Sequence, residues 1–166
     1  MSDYPAPRID RAAPADCEEI VALIGELAGY ERLAHEVQID PTELEDHLFG
    51  PRPFAEAILA RSGDRTAGFA LFFHNYSTFV GKPGLYLEDL FVRPEYRGRG
   101  IGEAMLRYLA SVAVERDCGR FEWAVLDWNE DAIRFYRKLG AVPMDEWTVF
   151  RLAGPALQRL ASSAGP

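Results

Sequence analysis

The sequence predicts an α/β domain with a mixed central β-sheet and helices on both faces. Three patterns carry this prediction. Apolar residues fall on one helical face in two segments, residues 20–28 and 101–113. Between them lie short apolar runs bounded by glycine-containing turns, which is the signature of strands. A glycine-rich loop at residues 97–102 then joins one such run directly to an amphipathic helix.

The elements follow in order. Ile9–Ala12 opens the fold as a short strand. A helix begins near Pro14, with Ile20, Leu23, Ile24, Leu27 and Ala28 on its apolar face. Asp16 and Glu19 have the spacing of a capping box, and Gly29 is the expected stop. Pro41–Phe49 reads as a second short helix capped by Asp40. Phe54–Ala60 and Thr66–Asn75 read as strands joined by a turn at Ser62–Arg65. Gly81–Gly84 is a further turn before a third strand, Leu85–Val92. The next helix carries Ile101, Ala104, Met105, Tyr108, Leu109, Val112 and Ala113 on one face and ends at Gly119. Phe121–Leu126 is an apolar strand, and a helix starting at Trp128-Asn129 ends with Gly140 at its C′ position. Trp147–Leu152 is expected as a last strand and Pro155–Ala161 as a terminal helix. The domain therefore spans residues 8–161, between tails at 1–7 and 162–166 that have little to bury.

Composition narrows the function. With 166 residues, 48% apolar and 12% aromatic, the chain can fill one packed core. A net charge of -8 argues against nucleic acid and anionic membranes as partners. No apolar run is long enough to cross a bilayer, and the first residues lack the basic and apolar regions of a signal peptide. Cys17 and Cys118 have no ligand-like spacing and read as reduced thiols, so the expected location is the cytoplasm. His35, His47 and His74 show no metal spacing, and no metal is expected.

The loop Arg97-Gly98-Arg99-Gly100-Ile101-Gly102 carries the clearest chemical signal. Glycines let the backbone approach a ligand closely, and the helix start supplies unpaired N–H groups and a positive dipole end. Arg97 and Arg99 can add charge-assisted hydrogen bonds, so the segment suits a diphosphate. Its spacing is neither that of a P-loop nor that of a dinucleotide fingerprint. On its own it also fits a connection that merely contains spare glycines.

The wider context is more specific. Val92-x-Pro94-x-x-Arg97-Gly98-x-Gly100-Ile101-Gly102 resembles the coenzyme A loop of the GNAT superfamily of N-acetyltransferases. Asn129 and Tyr136 on the next helix match a second element of that family. Leu85-Tyr-Leu-Glu-Asp-Leu-Phe-Val92 is similar to the signature strand of the spermidine/spermine (diamine) acetyltransferase branch. Ala13–Ile20 and Glu26–Glu31 are similar to that branch as well. Leu126-Asp-Trp-Asn129 with Phe135–Gly140 most resembles its thialysine ε-acetyltransferase subgroup. The likeness runs from about Ile9 to Ala161.

The resemblance implies acetyl-CoA as co-substrate, a splayed coenzyme cleft and a homodimer. It places the coenzyme on the backbone of Leu90, Phe91 and Val92, on the loop Arg97, Gly98, Arg99, Gly100, Ile101 and Gly102, and on Glu103, Asn129, Ala132 and Tyr136. A phenol stays protonated at neutral pH, so Tyr136 is the expected general acid for the leaving thiolate. Asn129 also stands where an ordinary N-cap would. Glu88 is the expected general base, directly or through a water, because a carboxylate in an apolar strand needs a partner or a task. Asp89 beside it points to the opposite face unless a bulge intervenes, and the resemblance implies a bulge near here. Tyr30, Glu31, Glu88, Asp89, Glu122, Trp123, Asp127 and Trp128 make an acidic and aromatic set suited to an ammonium. The C-terminal acidic run of the polyamine enzymes is reduced here to Asp145-Glu146-Trp147, which weakens the case for a long polyamine.

The expected activity is acetyl transfer to a small primary amine by direct attack in a ternary complex. The acceptor is a diamine, a polyamine or a lysine-like amino acid such as thialysine. A peptide or antibiotic amine acetyltransferase is the alternative within the class. A non-catalytic acyl-CoA sensor is the alternative outside it.

Overall fold

Five strands form one mixed sheet whose spatial order follows the sequence: β1 (Arg8–Arg11), β2 (Glu56–Ser62), β3 (Arg65–Ser77), β4 (Lys82–Val92) and β5 (Arg120–Trp123). β1 to β4 pair antiparallel, and β4 pairs parallel with β5. The computed structural model describes residues 7–163, so all but Pro7 of the expected N-terminal tail, and 164–166 of the C-terminal one, lie outside the described residues. The chain divides between Ala124 and Val125 into two units. The first holds the sheet with α1 (Cys17–Tyr30), α2 (Pro41–Phe49) and α3 (Ile101–Glu115). The second holds α4 (Glu130–Lys138) and α5 (Gly154–Ser163).

Both sheet faces of the first unit are covered, as expected. Leu59, Phe69 and Phe91 lie side by side across β2, β3 and β4. They join Ile20, Leu23 and Leu27 of α1 and Leu44 and Leu48 of α2 in one buried cluster. The neighbouring rung, Ile58, Ala70 and Leu90, faces the other way. There α3 comes so close that a Cβ on Gly102 would stand 3.7 Å from Leu90 and 3.8 Å from Val92. Met105 and Leu109 of α3 are fully buried.

Several local expectations change. Asp16 precedes α1, but its carboxylate accepts from the Ala13 amide at 2.9 Å and pairs with Arg61 at 2.7 Å. Glu19 pairs instead with Arg93, so no box closes α1. Gly29 does not stop the helix. The reversal falls at Arg32, in the left-handed region at φ 62°, with the Leu33 amide closing on the Ala28 carbonyl. At the end of α3 the same task falls to Asp117 (φ 53°) rather than Gly119. The turn before β4 sits at residues 78–81, because Pro83 and Gly84 already pair with Tyr76 and Asn75. Asp40 caps α2 as expected, accepting from Thr42 and Glu43.

Two strands differ from the expectation. β5 stops at Trp123 rather than Leu126, for a reason that lies in β4 and is described below. Trp147–Leu152 is not a strand: no ladder among the described residues includes it, and Trp147, Val149 and Phe150 are 72–93% exposed. Apolar, β-branched and aromatic residues give a segment strand propensity, but a strand also needs a partner edge.

Candidate active site

The glycine loop leads from β4 into α3. Gly98 and Gly100 both take left-handed angles, φ 72° and 75°, and a Cβ on either would meet nothing within 4 Å. The backbone is therefore open to the outside. The first α3 hydrogen bond runs from the Ala104 amide to the Gly100 carbonyl. The amides of Ile101, Gly102 and Glu103 lie ahead of it, at the positive end of the dipole. This cradle fits a diphosphate. Ile101 itself is buried, so its side chain anchors α3. The Glu103 carboxylate is held by Arg107 at 2.6 Å, and Arg99 donates to the Glu95 carbonyl at 2.7 Å. Gly100→Val forces a β-branched residue into the left-handed region, at a cost of about 1–2 kcal/mol. The acetyl-CoA Kd is expected to rise about tenfold in a folded variant, and unchanged affinity by calorimetry would remove the loop from the site.

β4 changes its register at the expected place. Leu71 faces Asp89 while Phe72 faces Leu87, which leaves Glu88 as the extra residue of a bulge. Glu88 is exposed. The bulge bends β4 away from β5, whose pairing ends at Leu87↔Trp123. The edge of Leu90, Phe91 and Val92 on that side is therefore unpaired by β5, as a splayed cleft requires.

Asp89 shares its face with Leu71 and Phe91, the α1 side of the sheet. Burial pushes its carboxyl up to about 6, aided by the charges of Glu88 and Glu31. The sign follows. The folded protein holds the proton more tightly than the unfolded chain, so stability is lost as pH rises from about 4 to 6, and the penalty is full at neutral pH. Two pKa units amount to about 2.7 kcal/mol, and partial exposure of the group reduces that to about 1–2. Asp89→Asn is thus expected to be more stable than wild type at pH 7 by that amount. The gap closes below about pH 4, as read by denaturant midpoints at both pH values.

Glu31 caps the end of α1 and is itself raised by burial, with Tyr30 beside it at 44% exposure. On the same sheet face Phe73, Tyr86 and Glu122 form one rung, and Asn75, Gly84 and Arg120 the next. Asn75 donates to the Glu122 carboxylate at 3.0 Å and Arg120 pairs with it at 2.8 Å. Trp123 packs edge-on against Phe121. The first unit therefore brings Tyr30, Glu31, Glu88, Asp89 and Glu122 to one acidic sheet region.

The Arg97 guanidinium does not turn to the glycine amides. Its Nε donates to the Val92 carbonyl at 2.8 Å, and its centre lies 4.6 Å from the Tyr30 ring and 5.5 Å from the Phe91 ring.

In the second unit Asn129 is the N-cap of α4, accepting from the Ala132 amide at 3.3 Å. Tyr136 lies about two turns further on, half-buried, with Phe135 against it at 5.4 Å. Asp127 and Trp128 are exposed just before the cap. Among the described residues no group of three or more His, Cys, Asp or Glu could hold a metal ion, and no helix is long and apolar enough to cross a membrane.

Residues 18–141 match the acetyltransferase (GNAT) family, a stretch that includes the bulged strand, the glycine loop and the Asn129–Tyr136 helix. The chain belongs to the GNAT family of acetyltransferases. This GNAT enzyme is 39% identical to the mouse (Mus musculus) thialysine N-epsilon-acetyltransferase over 165 residues, covering 93% of this chain and 96% of that protein. It is 35% identical to an Arabidopsis thaliana L-ornithine N5-acetyltransferase over 198 residues, covering 92% and 87%. Among solved structures it resembles an integron cassette protein from the mobile metagenome of V. cholerae, with a TM-score of 0.80 at 28% identity, covering 96% and 99%.

Sequence reasoning about this GNAT enzyme missed Tyr86 and Asn75. The Tyr86 phenol is raised by burial and by the charges of Glu88 and Glu122, so it belongs to the acidic face. Its position two residues before Glu88 was the available signal, since alternate strand residues share a face. Asn75 offered none, because its link to Glu122 spans three strands.

Proposed function

We propose that this GNAT enzyme moves an acetyl group from acetyl-CoA to the primary amine of a small cationic acceptor: a diamine, a polyamine or a lysine-like amino acid such as thialysine. The observation that carries this reading is the carboxylate set Glu88, Asp89 and Glu31 beside an unpaired β4 edge. Two half-buried acids, Asp89 and Glu31, beside an exposed third, Glu88, make a place that a cation would complete. The relatives' names point the same way, since both denote a nitrogen on a cationic amino acid.

Glu88, exposed on the bulge, takes the ammonium proton directly or through a water. Asp89, Glu31 and Glu122 hold the acceptor's positive charge, and Tyr30, Trp123, Asp127 and Trp128 offer aromatic and acidic walls. The amides of Leu90, Phe91 and Val92 hold the pantetheine and the acetyl oxygen, and those of Gly98 to Glu103 hold the diphosphate, with Arg99 lending charge. Asn129 and Ala132 belong to the coenzyme contacts that the family resemblance implies. The freed amine attacks the thioester carbon, the C–S bond breaks as Tyr136 gives its proton to the departing sulfur, and the second proton shed by the acetylated nitrogen returns to Tyr136 through solvent. The same reading places the enzyme in the cytoplasm as a homodimer.

The test is release of free coenzyme A from acetyl-CoA with putrescine, spermidine, thialysine, lysine and a peptide N-terminus. Turnover of the small amines above the peptide supports the reading. Peptide preference would move it to the peptide class. Tight acetyl-CoA binding without turnover of any amine would make the chain a sensor.

A further inference from the structure

The expectation for Arg97 was a phosphate ligand, but its side chain lies on the wrong face of the sheet for that. The diphosphate cradle belongs to α3, which packs on the Leu90 and Val92 side of β4. Tyr30 and Phe91 belong to the α1 side. The Arg97 guanidinium lies over both rings, 4.6 Å from the Tyr30 centroid and 5.5 Å from the Phe91 centroid, tethered by its Nε to the Val92 carbonyl.

We infer that Arg97 is a positioning residue for the amine pocket: it pins the end of α1, with Tyr30 and Glu31, to the strand that carries Glu88 and Asp89. This rests on the amine-acceptor reading above. The physical need is plain. Tyr30 is the last residue of α1, Glu31 is its cap, and the chain then reverses through a non-glycine residue in the left-handed region, at Arg32. Helix ends fray, and α1 places these two residues only as well as its last turn is held. A guanidinium close over two aromatic rings is a suitable clamp. It also joins the coenzyme loop to the acceptor side through a single side chain, so an ordered loop means an ordered pocket.

Arg97 is exposed, so its replacement leaves the core intact. The experiment uses Arg97→Met, Arg97→Lys, Tyr30→Leu and the double variant Arg97→Met/Tyr30→Leu. Calorimetry gives the coenzyme A Kd, and steady-state kinetics give kcat and KM for the best amine of the panel. For a stacking clamp the coenzyme A Kd stays within about twofold while amine kcat/KM falls about three- to tenfold, chiefly through KM. Lysine does not rescue, because it keeps the charge but loses the planar stack. The double variant is no worse than the weaker single one, since both remove the same contact.

A coenzyme A Kd that rises in Arg97→Met and recovers in Arg97→Lys would make Arg97 a phosphate ligand and overturn the inference. Additive losses, or unchanged amine kinetics, would overturn it equally. If wild type turns over no amine, the acceptor reading fails separately. Arg97 is then judged by amide hydrogen exchange at Glu31 to Leu33, where faster exchange in Arg97→Met upholds the clamp on the end of α1 and unchanged exchange overturns it.

Discussion

Tyr136→Phe is expected to lower kcat by about 10²–10⁴-fold while the acetyl-CoA Kd stays nearly constant. The substitution removes one hydroxyl and almost no volume. Its packing partner Phe135 keeps its contact, since that contact is between rings. The ring's packing is kept, so a fall in kcat with unchanged thermal stability reads as a loss of chemistry. A coenzyme thiolate is a modest leaving group, and protonating it as the C–S bond breaks is work for a phenol, which still holds its proton at neutral pH. The paired measurement is kcat at saturating amine beside a calorimetric Kd. A loss under threefold would make Tyr136 a packing residue of α4.

Glu88→Gln is expected to lower amine kcat/KM at neutral pH by about 10²-fold or more, with acetyl-CoA affinity kept. Alkyl amines have pKa values of about 10.4, so nearly all acceptor molecules arrive protonated at pH 7. Without a base, only the rare neutral amine reacts. The deficit should therefore shrink as pH approaches the amine's own pKa, where solvent does the deprotonation. Recovery stays incomplete, because Gln also lacks the charge that attracts the ammonium. Asp89→Asn is the companion variant. With its carboxyl pushed up to about 6, Asp89 gains a proton as pH falls through that value and stops holding a cation. Wild-type kcat/KM is thus expected to fall below about pH 6, and this limb should be missing from Asp89→Asn. If Glu88→Gln behaves as wild type at pH 7 while Asp89→Asn is crippled, the base is Asp89.

The parts of this enzyme that could be read ahead are those where the physics is local. The Asp40 cap, the α3 face and the loop glycines each depend on residues within one or two turns, so spacing sufficed. The bulge position was not readable from the residues. Leu85-Tyr-Leu-Glu-Asp-Leu-Phe-Val92 alternates well enough for a regular strand, and only its register against β3 shows Glu88 to be extra. The shortness of β5 is inherited from that bulge. Asp16 was misassigned because its competing partner, Arg61, lies 45 residues away. The neighbours of Arg97 in sequence point it to a phosphate, but they cannot show that its guanidinium lies over the ring of Tyr30, on a helix far back in the chain.

Strand β4 therefore has a length with one residue to spare, and that matters for how such a strand can be edited. Excising Glu88 would set Leu87 beside Asp89 in an unbroken ladder, with every flanking side chain keeping its present face. The core would hardly notice, and β4 could continue alongside a longer β5. The chain would survive as a scaffold with its reactive edge sealed. An extra residue after Leu90, by contrast, would turn Phe91 out of the α1 cluster and break the fold. A one-codon loss at the bulge would close this sheet edge, whereas a one-codon gain beyond it would disrupt the core.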